Sequence, residues 1–272
     1  MRLLLTSAGI SNTSIHNTLV DLLGKPIAES SALCIPTAAY ACPGGAGMAW
    51  RLISGSAKSP LCELGWKSLG VLELTALPSI EKQHWLPVVQ ETDALLVGGG
   101  DVLYLRYWMR ESGLTDLFAS LGREIVYAGV SAGSLVVTSH FGDTYIGRTP
   151  PSGSDIKSEN IMLASPQGEL SNVTFVAAPG LGLVDFSLFA HLDHERFPEN
   201  SLANLERLAA RLPVPTYAID DQTAIKVTDG AIEVVSEGHW KLFALIPRGS
   251  ADSLAIFGLC SRSGWIRGSD PN

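Results

Sequence analysis

Charge is scarce in this chain of 272 residues: 17% are Asp, Glu, Lys or Arg, against 46% hydrophobic. That balance excludes a disordered chain and a coiled coil, which need far more charge. Basic residues are the scarcer sign, 19 Lys and Arg against 27 Asp and Glu, so the net charge is −8. A nucleic-acid partner is not expected, because phosphate binding needs a basic face. Long apolar runs are missing too. Mean hydropathy is +0.22, yet no stretch reaches the roughly 18 apolar residues of a spanning helix, so no membrane partner is expected. The four cysteines, Cys34, Cys42, Cys62 and Cys260, form no Cys-x-x-Cys pair. A zinc ribbon or a thioredoxin-like motif is therefore disfavoured, and the thiols read as small apolar residues of a reducing compartment. Residues 1–6 are too short an apolar stretch for a signal peptide, so a cytoplasmic location is expected.

What is present is an alternation of short apolar runs with segments of helical spacing. Strands are expected at 2–7, 32–36, 68–74, 93–97 and 124–130, and helices at 13–23, 80–90 and 198–212. Continuous apolar strands separated by helices indicate a parallel sheet covered on both faces, an α/β chain. From residue 216 the pattern changes to strand and turn, expected as an antiparallel β-ribbon on the sheet edge. Pro43-Gly44-Gly45-Ala46-Gly47 reads as a loose turn. Residues 142–171, rich in Gly, Pro, Ser, Thr and Asp, read as a long loop or lid. Leu245-Ile246-Pro247-Arg248-Gly249-Ser250 resembles an engineered protease-cleavage linker. The expected division is one domain over 1–243 and a non-native tail over 244–272.

In sheets of this kind ligands bind outside the carboxyl ends of the strands. Two loops lie at such ends. Gly129-Val130-Ser131-Ala132-Gly133 fits Gly-x-Ser-x-Gly between a strand and a helical segment, the context in which that motif presents a nucleophile. Its bland alternative is a helix N-cap serine. Gly98-Gly99-Gly100-Asp101 leaves backbone N–H groups bare, as oxyanion stabilisation requires, so Gly99, Gly100 and Ala132 are the candidate donors. No Gly-Lys-Ser/Thr follows it, which argues against a phosphate loop.

A serine nucleophile needs a base, and histidine is the usual one near neutral pH. Of the six histidines, His191 follows an apolar strand-like run on the expected active edge and is the first choice, with His194 second. His140 reads as a helix C-terminal residue. The orienting carboxylate is sought among Asp143, Asp155, Asp185 and Asp193, with Asp143 favoured. Asp101 and Asp220 are candidate substrate-binding carboxylates, although Asp220-Asp221 also suits a turn cap. The His191, Asp193, His194, Glu195 group has no standard metal spacing, so neither metal nor cofactor is expected.

The order Val97-Gly98-Gly99-Gly100-Asp101, Gly129-Val130-Ser131-Ala132-Gly133-Ser134, Gly182-Leu183-Val184-Asp185 leading to His191, and Ile219-Asp220-Asp221-Gln222-Thr223-Ala224 resembles the dipeptidase E and cyanophycinase family of serine peptidases. The resemblance covers roughly residues 1–243. It implies a flavodoxin-like three-layer sandwich related to class I glutamine amidotransferases, with serine replacing their cysteine. It further implies Ser131 as nucleophile, His191 as base and, loosely, Asp143 as the acid. His191 follows Ser131 by 60 residues, a longer gap than the aspartyl dipeptidase branch implies, and that branch's aspartate-selecting arginine has no secure match here. The expected activity is hydrolysis of small peptides by a monomer or homodimer. The rivals are an α/β-hydrolase esterase and a non-catalytic binding module on the same fold; a glutamine amidotransferase is disfavoured because no cysteine stands at the elbow.

Overall fold

Leu3 and Leu5 face one side of the first strand and Leu4 the other, and all three are buried. A strand apolar on both faces must lie inside a sheet covered on both sides. The computed structural model describes residues 1–118 and 125–245, so Glu124 of the expected fifth strand and residues 246–272 of the expected tail lie outside the described residues. In chain order the elements are β1 (Arg2–Thr6), α1 (Thr13–Leu23), β2 (Ser31–Ile35), α2 (Gly45–Ile53), β3 (Ser68–Val71), α3 (Lys82–Gln90) and β4 (Ala94–Val97). There follow α4 (Val102–Glu111), α5 (Leu114–Leu117), β5 (Val126–Val130), α6 (Ala132–Leu135), β6 (His140–Tyr145), β7 (Lys157–Ala164), β8 (Leu170–Pro179) and β9 (Ser187–Phe189). Last come α7 (Leu202–Ala209), β10 (Thr216–Ile219), β11 (Thr223–Thr228), β12 (Ala231–Ser236) and β13 (Trp240–Phe243).

Seven strands form the main sheet in the order β12-β11-β1-β5-β4-β2-β3. The five strands from β1 to β3 run parallel, and the β11–β12 hairpin adds antiparallel strands at one edge. One face packs Leu3, Leu5, Leu95 and Val97 with Trp85 and Val89 of α3 and Leu105 and Met109 of α4. The other packs Leu4, Cys34, Leu96 and Ala128 with Ile15 and Leu19 of α1 and Leu52 of α2. This is the expected three-layer α/β arrangement with a mostly parallel sheet. α1 is stopped at both ends by local chemistry: the Asn12 side chain accepts from Ile15 N–H, and Gly24 closes the helix at φ 70°.

Three sequence expectations are corrected. Residues 142–171 are a loop only over 146–156 and in the turn 165–169: β6, β8 and β7 form a second, antiparallel sheet. Both of its faces carry buried residues, and Phe141, Tyr145, Val176 and Ala178 join the core that includes Leu3 and Leu95. Ile161, Leu163, Val173 and Phe175 pack with Phe189, Leu205 and Leu208, and the polar composition that reads as loop comes from the connection 146–156 and the exposed starts of β7 and β8. The glycine-rich stretch after Pro43 begins α2, with Gly44 as its N-cap at φ 72°. The expected ribbon is divided: β11 and β12 join the main sheet, whereas β10 and β13 pair with β9 in a third sheet. Among the described residues no helix is long and apolar enough to cross a membrane.

The packing of β8 makes a stability difference measurable. Phe175 is 1% exposed and Met162 46%. Phe175→Ala is expected to cost about 3–5 kcal/mol in chemical denaturation, and Met162→Ala less than about 0.5 kcal/mol. Equal costs would mean that β6, β7 and β8 do not carry a core.

Candidate active site

The pairing of β1 sets the geometry of the site. Thr6 is opposite Val130 in the parallel ladder and opposite Ala224 in the antiparallel one. The residues just beyond β1 and β5 and just before β11 therefore emerge on one edge of the sheet. They are Ser7, Ser131 and Asp221.

Ser131 sits on a sharp turn at φ 50° and ψ −115°, a conformation that disfavours any residue with a Cβ. The turn is anchored at Thr6, whose carbonyl accepts from Ser131 N–H at 3.0 Å and from Ser134 Oγ at 2.8 Å. Its flanking glycines are required by close packing. A Cβ on Gly133 would lie 2.2 Å from Val97 O, and one on Gly129 would lie 2.6 Å from Gly133 O. The N–H groups of Gly99, Gly100 and Ala132, the candidate oxyanion donors, have no hydrogen-bond acceptor among the described residues. Gly99 packs directly on the serine: a Cβ there would come within 3.2 Å of Ser131 Cβ.

His191 follows β9 and has φ 59°. Its Nε2 lies 3.2 Å from Ser131 Oγ, and its Nδ1 lies 2.7 Å from Asp221 Oδ1. Phe197 stacks on the imidazole at 4.6 Å between centroids. Leu192 N–H donates to Ile219 O at 3.0 Å, tying the histidine loop to the end of β10. Burial alone would raise the Asp221 carboxyl. The His191 hydrogen bond and charge, Ser7 and His194 outweigh it and hold the group below its ordinary value. His194 Nε2 is 3.4 Å from Asp221 Oδ2, so the second-choice histidine touches the acid and not the serine.

The carboxylate against His191 is thus Asp221, and Asp143 is elsewhere. Asp143 lies on β6, lines the same pocket and, among the described residues, accepts a hydrogen bond only from its neighbour, Thr144 N–H, at 2.8 Å. Its nearness to Ser131 in sequence was misleading because β6 leads away from the elbow, whereas the crossover to β11 returns the chain to it. His140, expected at a helix end, is the first residue of β6. The other acids weighed for this position are also placed apart from His191. Asp155 pairs with Arg106, Asp185 is exposed, and Asp193 caps α7 by accepting from Leu202 N–H at 3.0 Å.

The two carboxylates expected to bind substrate are engaged inside the fold. Asp101 is buried; it caps α4 through Tyr104 N–H at 2.9 Å, accepts from Tyr145 OH and pairs with Arg148. Asp220 accepts from Thr223 Oγ1 at 2.6 Å and from His239 N–H at 2.7 Å. Neither lines the cavity. Sequence reasoning missed Asp221, although a carboxylate immediately after a buried strand and before the next one was a usable signal.

The cavity over Ser131 and His191 measures about 920 Å³. Arg51, Lys58 and Arg196 line it together with Asp143 and Glu199, so it presents both signs of charge. Among the described residues no group of three His, Cys, Asp or Glu side chains is arranged to hold a metal ion.

Comparison with known proteins supplies a family and a fold. A family model described as peptidase family S51 matches residues 3–235. A crystal structure described as a peptidase E protein from Listeria monocytogenes EGD-e superposes with a TM-score of 0.53 at 16% identity, covering 87% of this chain and 98% of that one. The crystal structure of a peptidase from an acI-B1 Actinobacterium gives a TM-score of 0.59 at 17% identity, covering 90% and 91%. At these identities the two structures speak for the fold. No curated protein matches the chain.

Asp143 supplies a pH test. Burial is the main cause that pushes its carboxyl up to about 7, so the folded state binds a proton that the unfolded chain has already released between pH 4 and 7. Stability is therefore lost as pH rises through that window. Asp143→Asn is expected to leave stability at pH 4 nearly unchanged and to raise it at pH 8.5 by on the order of 1–3 kcal/mol. Denaturant titrations at the two pH values check this, and equal changes at both would contradict it.

Proposed function

The chain belongs to peptidase family S51 and is a serine-type peptidase, and from that premise we propose that it hydrolyses short peptides through Ser131, His191 and Asp221. The observation that carries this reading is the continuous line from Ser131 Oγ to His191 Nε2 and from His191 Nδ1 to Asp221 Oδ1, at 3.2 and 2.7 Å. A hydroxyl that donates to an imidazole held by a carboxylate is activated as a nucleophile.

In this reading Ser131 Oγ attacks the scissile carbonyl while His191 Nε2 takes its proton. Asp221 holds Nδ1–H and stabilises the imidazolium. The N–H groups of Gly99, Gly100 and Ala132 receive the oxyanion, which forms at the N-terminal turn of α6. His191 then protonates the leaving amine, and water releases the acyl group by the reverse sequence. The short-peptide preference is supported by the pocket's size, which is that of a small-molecule site. It is also supported by the pocket's mixed charge, since a short peptide carries an ammonium and a carboxylate close together. The walls of that pocket include Asp143, Thr144 and Arg148, so the segment expected to be a lid acts in this reading as fixed wall.

Fluorophosphonate labelling located by mass spectrometry, with a dipeptide-library screen, tests the proposal. Labelling is expected at Ser131 and lost in Ser131→Ala. Asp221→Asn is expected to lower kcat on the order of 10³–10⁴-fold, as removal of the orienting aspartate does in such a relay, whereas Asp143→Asn lowers it less than about 10-fold. Full peptide turnover by Ser131→Ala would end the proposal.

A further inference from the structure

Ser7 is fully buried at the end of β1. Its Oγ meets both partners of the serine in one place. It accepts from His191 backbone N–H at 2.8 Å, lies 2.7 Å from Asp221 Oδ1, and lies 3.3 Å from His191 Nδ1. A hydroxyl has one proton to give and two lone pairs. An ionised carboxylate only accepts, so the Ser7 proton goes to Asp221. Oγ then has no proton left for the imidazole and can show it only a lone pair.

From this geometry we infer that Ser7 is a positioning residue of the relay, one hydroxyl that clamps Asp221 and His191 together and leaves Nδ1 as the ring's proton-bearing nitrogen. The inference rests on the reading of Ser131, His191 and Asp221 as the reacting set. With Nδ1 facing Asp221 Oδ1 at 2.7 Å and Ser7 Oγ at 3.3 Å, both presenting lone pairs, a ring without a proton on Nδ1 would face repulsion from two sides. The proton therefore resides on Nδ1, and Nε2 is free to take the proton of Ser131.

The same hydroxyl also holds the backbone. His191 has φ 59°, a conformation that persists only when the surroundings enforce it. Two hydrogen bonds do so from the neighbouring strands: His191 N–H to Ser7 Oγ, and Leu192 N–H to Ile219 O at 3.0 Å. Without Ser7 the His191 N–H loses its acceptor, and Asp221 loses a donor on the oxygen that faces the ring. The titratable groups that face His191 are Asp221, from the turn before β11, and His194, from its own loop, while Phe197 covers the ring face.

The test uses Ser7→Ala and Ser7→Thr in the full chain, with the active fraction counted by fluorophosphonate titration so that misfolded protein does not enter kcat. Ser7→Ala is expected to lower kcat about 10- to 100-fold with KM within twofold of wild type. The acid limb of its kcat/KM profile is expected to move to higher pH, because an Asp221 with one donor fewer holds the imidazolium more tightly. Ser7→Thr, which keeps the hydroxyl, is expected to restore kcat to within about fivefold. A second readout needs no turnover: ¹⁵N and low-field proton NMR of His191 should show Nδ1–H in the wild type and its exchange broadening in Ser7→Ala. Unchanged kcat and an unmoved acid limb in Ser7→Ala overturn the inference, as does an unaltered Nδ1–H signal. Absence of fluorophosphonate labelling in the wild type would instead count against the peptidase reading, with the NMR comparison still deciding the clamp.

Discussion

The position of β1 between β5 and β11 is the constraint on which the site depends. A parallel ladder on one side brings the carboxyl ends of β1 and β5 together, and an antiparallel ladder on the other brings the start of β11 to the same edge. Ser131, Ser7 and Asp221 stand next to one another for that reason alone. Adjacent strands are about 4.8 Å apart, so three successive strand ends span the reach of a hydrogen-bonded relay. His191 enters from the third sheet, where β9 is parallel to β10, and Leu192 is bonded to the residue ending β10.

Strain is concentrated at this edge. Ser131 and His191 are two of the four non-glycine residues with positive φ among the described residues, and such conformations cost on the order of 1–3 kcal/mol each. Both are opposed by fixed anchors on β1: Thr6 O holds the serine turn, and Ser7 Oγ holds the histidine. Thr6 is held in turn, its Oγ1 donating to Gly129 O at 2.7 Å and accepting from Gly9 N–H at 2.9 Å. Thr6 at the end of β1 and Ser7 just beyond it thus hold Ser131 and His191 in their strained conformations, and the buried apolar faces of the sheet keep that strand in place.

The electrostatics divide along the same lines. Asp101 and Arg148 pair at the end of β4, with the guanidinium 4.1 Å over the Tyr145 ring, and Arg148 carries this pair to the pocket wall. Asp221 is kept ionised by its donors. Asp143 has no such set of donors, and burial raises it toward neutrality. Burial raises both carboxyls; at Asp221 the hydrogen bond and charge of His191, with Ser7 and His194, outweigh it, whereas at Asp143 the Thr144 N–H and Arg148 do not.

Local chemistry sufficed for whatever is decided by neighbours in the chain. Glycines spaced around Ser131 announced a turn too tight for a Cβ, helical spacing marked α1, and apolar runs marked the parallel strands. It also singled out His191 as a histidine at a strand end. Asp221 escaped because its partnership with His191 runs across 30 residues and two sheets, and nothing near it in the chain records that β11 pairs with β1. Ser7 escaped for the same reason across 184 residues. Strands β6 to β8 escaped because the polar connection 146–156 and the exposed starts of β7 and β8 give the whole stretch the composition of a loop. Side-chain pattern reports which face of an element is dry, but which strand ends share an edge is set by the ladder register of distant segments. That register exists only once the buried faces have found each other.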